Sequence, residues 1–177
     1  NGYLVSAIIT EETQIIVGAD FLDNLHLAIF GLLSEIGREK IDLLLLSSSL
    51  DLLEYQYEIR TILESDLTES IGIKQPNTRE ELEKSVQDLK QVIIPKYVSL
   101  NLSPLYFKKS MIDWAGENNL EILGFNPFGG YLTAPQEISS FGIPFLLSFA
   151  ATYSSVVFLS SRDLIGNHYT SSYLQNL

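Results

Sequence analysis

The stretch IDLLLLSSSLDLLEYQYEIRTILESDLTESIGI, from Ile41 to Ile73, decides the fold. It opens on an apolar run, Ile41 to Leu46, interrupted only by Asp42. Such a run is short for a helix and suits a strand buried on both faces. Asp51 to Ser65 then carries a helical period, and Ser70 to Ile73 is a second short strand. Strand, helix and strand over about 30 residues make a βαβ unit, whose two strands run parallel. Three small hydroxyls, Ser47 to Ser49, end the first strand, where enzymes of this architecture carry their chemistry.

The same alternation extends both ways. Upstream, YLVSAII (Tyr3–Ile9) reads as a strand. Asp20 to Gly37 reads as a helix with Phe21, Leu22, Leu25, Ile29, Leu32, Leu33 and Ile36 on one stripe and Gly37 at its C-terminus. Downstream, Thr78 with Glu81 three residues on fits a capping box and starts a helix that runs to Val92. YVSLNL (Tyr97–Leu102) is a strand, and Pro104 to Asn119 is a helix with proline near its start. LEILGF (Leu120–Phe125) is a strand, Pro135 to Tyr153 is helical in part, SVVFL (Ser155–Leu159) is the last strand, and a helix-like tail follows from Asp163. The fold class expected is α/β, an incomplete TIM-type barrel of about six parallel strands, each followed by a helix. No linker or low-complexity segment divides residues 1–177, so they are read as a single domain.

Composition narrows the function. The 177 residues are 46% hydrophobic and 19% charged, which fits a chain with a packed core. Eleven basic against 22 acidic residues give a net charge of −11, which repels phosphate backbones and anionic lipids, so neither nucleic acid nor membrane is expected as a partner. No apolar run is long enough to span a bilayer, and no charged segment followed by an apolar one marks a signal peptide, so a cytoplasmic location is expected. The chain begins with Asn rather than Met, which leaves room for a segment before it. The sequence has no cysteine, and its two histidines, His26 and His168, stand far apart with no ligand pattern around them, so no metal site is expected.

Four segments, in order, resemble the aldo-keto reductases. GLLSEIGREKIDLLLL is similar to that family's helix end and fourth strand, and ILESDLTESIGIKQPNTREEL to the next unit. YVSLNLSPLYFKKSMIDWAGENNLEILGFNPFGG resembles the Asn-Gln-x-x-x-x-Pro strand, its helix and the Tyr-Ser-Pro-Leu-Gly strand end, while VVFLSSRDL takes the place of the last strand and its phosphate loop. The resemblance runs from that family's third strand to its eighth and implies a truncated member lacking the first two βα units.

It also implies what chemistry is missing. Carbonyl reduction in the family uses a Tyr acid tuned by a Lys and an Asp, with a His orienting the carbonyl. The Asp and Tyr belong to the second unit. The Lys belongs at the end of the third strand, and YLVSAIIT has none nearby; the His position is occupied by Ser47. The nicotinamide contacts become Lys74, Gln75 and Ser99; Phe125 stands where the stacking Tyr would be, and Asn126 replaces the Ser that follows. Ser160, Ser161 and Arg162 replace the phosphate loop and retain the means to hold an anion, although a core Phe125 and a plain polar loop are the competing readings. No cofactor is therefore expected, with NADP binding at most residual.

In YVSLNLS, alternation sends Tyr97, Ser99, Asn101 and Ser103 one way and Val98, Leu100 and Leu102 the other. A polar inward row beside Phe125 and Asn126 predicts a hydrated cavity at the strand C-terminal ends. A serine nucleophile at Ser47 needs a base in reach, and neither histidine stands at a strand end. The candidate ligand-binding residues are thus Ser47, Lys74, Ser99, Asn101, Phe125, Asn126, Ser160, Ser161 and Arg162, with no catalytic residue assigned. The expected function is an accessory subunit that binds a small molecule or a partner, in a biosynthetic pathway. A repurposed non-redox enzyme of lyase, cyclase or isomerase type, using Ser47, Lys74, Asn101, Asn126 or Arg162 with Lys74 as base or imine former, and an NADP-dependent oxidoreductase completed by another segment or a partner, are the alternatives. An incomplete barrel has open edges, YLVSAII and SVVFL, which a homodimer or a dedicated protein partner would cover.

Overall fold

A computed structural model describes residues 5–9, 14–20, 23–128 and 143–158. Seven strands form one sheet in chain order: β1 (Val5–Ile9), β2 (Ile15–Ala19), β3 (Leu43–Ser47), β4 (Ile71–Lys74), β5 (Tyr97–Asn101), β6 (Glu121–Phe125) and β7 (Val156–Phe158). Each strand from β2 to β7 runs parallel to its neighbour, and these six parallel strands curl into part of an α/β barrel. The crossover helices are α1 (Leu25–Ile36), α2 (Gln56–Glu64), α3 (Arg79–Leu89), α4 (Lys109–Glu117) and α5 (Ile143–Tyr153).

The expected parallel series is therefore present, but its first member is not the one read from the sequence. YLVSAII supplies β1, which pairs antiparallel with β2 as one arm of a hairpin and is not followed by a helix. The first parallel strand is IIVGA, Ile15–Ala19, fully buried and unassigned by periodicity. Asp42 seats it against β3: its Oδ2 accepts the Ile15 N–H at 2.6 Å, and its own N–H donates to the Ile15 carbonyl. Two helices are also shorter than their patterns. α1 starts at Leu25, so Asp20 to Asn24 lie outside it, and α4 starts at Lys109, leaving Pro104 in a turn. The tail from Asp163 lies outside the described residues.

Helix ends follow local chemistry. Thr78 Oγ1 accepts the Glu81 N–H, while Glu81 reaches back to the Asn77 N–H, one residue earlier than the usual box. Gly37 takes the left-handed conformation (φ 68°) that closes α1. At the other end of α1, Asn24 makes no side-chain cap. Glu58 of α2 substitutes, accepting the His26 backbone N–H at 3.0 Å and its imidazole Nδ1 at 2.7 Å.

Alternation splits the core into two layers. Leu44 and Leu46 face the helices with Ile29, Ile59, Ile73 and Leu82, whereas Leu43 and Leu45 face the barrel interior with Ile16, Leu123 and Phe158. Each leucine so buried contributes about 1.5–3 kcal/mol relative to exposure. Gly72 belongs to the interior face because nothing larger fits: a Cβ there would stand 2.6 Å from the Tyr97 carbonyl oxygen and 2.9 Å from Leu45 Cδ2.

Candidate functional site

The interior changes character along the strands. Below lies the apolar floor of Ile16, Leu43, Leu45, Leu123 and Phe158. Above it, at the strand C-terminal ends, the next inward positions are polar, and a cavity of about 540 Å³ opens there. Ser47, Lys74, Asn101 and Asn126 all line it, so four of the residues singled out from the sequence come together. Ser99 and Phe125 do not reach it. They border a void of about 30 Å³ beneath, which Lys74 also touches. Ser160, Ser161 and Arg162 lie outside the described residues.

Lys74 is the centre of the mouth. Its β4 position pairs with Ser47 of β3 and Ser99 of β5, and its ammonium crosses above β3 to Asp20 at the end of β2. Both Asp20 oxygens accept from Nζ, at 2.8 and 2.7 Å. A lysine acts as nucleophile or base only through the lone pair of its neutral form, and forming that here forfeits the ion pair. The arrangement therefore makes Lys74 a positioned donor, with one N–H left after Asp20 takes two.

The serines are similarly committed. Ser47 Oγ and Ser49 Oγ share a hydrogen bond of 2.8 Å, and no described histidine lines the cavity. His26 is held by Glu58 instead, in keeping with a satisfied histidine. Ser99 is buried, its hydroxyl and carbonyl both accepting the Gln75 N–H at 3.0 Å. The polar inward row of β5 and the loop after it is thus divided: Asn101 borders the cavity, Ser99 braces the β4 exit, and buried Ser103 has an Oγ with no partner among the described residues. Gln75 and Asn126 leave β4 and β6 with φ of 45° and 50°. Left-handed backbone is costly for a side chain like glutamine, and such positions cluster at functional sites. Phe125 stacks on Phe158 with centroids 4.6 Å apart, so one face of its ring is already covered.

Sequence reasoning missed Asp20 and Lys108. Asp20 follows the unassigned strand, where Ile16, Gly18 and Asp20 keep the period of two. Lys108 was read into a helix that begins one residue later; it lines the cavity from the loop after β5 and donates to the Asn77 carbonyl.

No protein-family model matches the chain, and no curated protein is similar in sequence. Solved structures are similar in fold. An aldo/keto reductase from Brucella melitensis superposes with a TM-score of 0.63 at 15% identity, covering 86% of this chain and 63% of its own. The glycerol dehydrogenase AKR11B4 from Gluconobacter oxydans gives 0.52 at 15%, covering 84% and 50%, and Gox0644 in its apo form gives 0.56 at 17%, covering 74% and 51%. The chain therefore spans between half and two thirds of the length of these structures.

Proposed function

We propose that this chain, which has the fold of part of an aldo/keto reductase barrel, is an accessory subunit that binds a small molecule or a partner and does not reduce carbonyls. One observation carries the reading: the Lys74 ammonium at the mouth is bound by the Asp20 carboxylate, beside Ser47 where the resemblance calls for histidine. A reductase needs an acid aimed at the substrate oxygen and a face for the nicotinamide. Here the lysine is engaged, and one Phe125 face is taken by Phe158. The test is NADPH oxidation against a panel of aldehydes and ketones, with thermal shift for NADPH itself. No turnover is expected, and carbonyl-dependent NADPH consumption overturns the reading, returning the chain to the NADP-dependent oxidoreductases.

The Asp20–Lys74 pair also supports a second reading, a non-redox enzyme of lyase, cyclase or isomerase type, in which the ammonium polarises a bound carbonyl or enolate. Loss of product on Lys74→Met, assayed on the pathway that uses the protein, separates this from the accessory role, which predicts an unchanged product. The biosynthetic setting and the covering of edges β1 and β7 by a second copy or a dedicated protein belong to the same proposal. Among the described residues neither edge strand has a second neighbour in the sheet, which leaves room for a partner.

A further inference from the structure

Resting on the reading of the strand-end mouth as a binding site rather than a reductase centre, we infer that its ligand is a small monoanion of the hydroxycarboxylate class, with one apolar flank. Charge makes the first argument. The chain carries a net charge of −11, a field that repels anions from most of its surface. Yet among the described residues the cavity is lined by two lysines, Lys74 and Lys108, against one carboxylate, Asp20, which leaves a single positive charge. With Asp20 tied to Lys74, the cavity offers one monoanion a favourable place and a second one none.

Hydrogen-bonding groups make the second argument. The residues Gln75, Asn77, Asn101 and Asn126 bring four amides to the lining. A ligand hydroxyl has amide residues to pair with along the lining, at Gln75, Asn77 and Asn101. The lining also has apolar members, Leu100, Leu102, Met111 and Ile112, which have no use for a purely polar ion such as phosphate. The volume, about 540 Å³, suits an organic molecule of modest size.

The test is calorimetric titration with mandelate, a hydroxycarboxylate carrying a phenyl flank, and with its neutral counterpart 1-phenylethane-1,2-diol at the same ionic strength. Mandelate is expected to bind at least about tenfold tighter than the diol, as charge-assisted bonds require. Lys108→Met, at an exposed loop position, is expected to erase that preference, and Asn101→Leu to weaken both probes. Equal affinities for the two probes, no heat from either, or an undiminished preference in Lys108→Met overturns the inference. Failure here leaves the accessory reading intact when NADPH is not consumed, whereas NADPH turnover removes that reading whatever mandelate does.

Discussion

Lys74 illustrates how one residue's role depends on what a neighbouring strand brings to it. Its side chain is 21% exposed and that of Asp20 39%, so solvent screens the pair in part. A double-mutant cycle of Lys74→Met and Asp20→Asn, followed by urea denaturation, should give a coupling of about 1 kcal/mol that shrinks in high salt. At the start of α3, Thr78→Ala should cost about 1 kcal/mol through the lost cap. The nearby Glu80 carboxyl lies below the ordinary glutamate value, because its own backbone N–H and then the Thr78 hydroxyl bond to the charged form. A depressed carboxyl stabilises the fold above its unfolded value and loses that contribution as pH falls through the folded one. The difference in urea midpoint between wild type and Thr78→Ala should accordingly narrow in acid, while the share owed to the Glu81 N–H cap persists. Residues at strand ends were legible where an apolar run visibly stops, as at Ser47, Lys74 and Asn126. Asp20 was not, because the apolar spacing of Phe21 and Leu22 continues into that of α1 and hides a strand ending before it.

Elements depend on contacts that no local pattern encodes. α1 has no cap of its own and borrows Glu58 from α2. Glu58→Ala should loosen the first turn of α1, read as faster amide exchange at His26, and lower stability by about 1–2 kcal/mol. Gly72→Ala should be worse. The added methyl meets the Tyr97 carbonyl, so β4 and β5 must part, at a cost of about 2–3 kcal/mol by denaturant titration. Five of the six parallel strands could be read directly, since each is an apolar run flanked by helical period. The exception shows why direction is harder to read than presence: YLVSAII has the composition of a parallel strand, yet its partner is the next strand in the chain. A five-residue apolar segment looks the same in a hairpin and in a crossover.

At the scale of the whole molecule, exposed apolar residues stand near both ends of the strand series. Leu27 and Phe30 on α1 are 59% and 64% exposed, and Phe145 of α5 and Val156 of β7 are 47% and 45% exposed, so both ends of the strand series carry such a patch. The interior floor is nonetheless buried within the chain, with Leu45 and Leu123 each at 3%. Where a second copy is the covering partner, light scattering on the purified chain gives the mass of two chains, reduced to one by Phe30→Glu with Val156→Glu; a dedicated partner leaves the mass at one. A one-chain mass with both edge strands protected in hydrogen exchange would sink the covering partner in either form. The hairpin carries a further consequence. β7 runs with β2, while β1 runs against it. A strand inserted to join the two margins can match the polarity of only one of them. Any ring completed on this chain therefore contains a seam of opposed sense, a hybrid rather than the uniform cylinder of a standard eight-unit barrel.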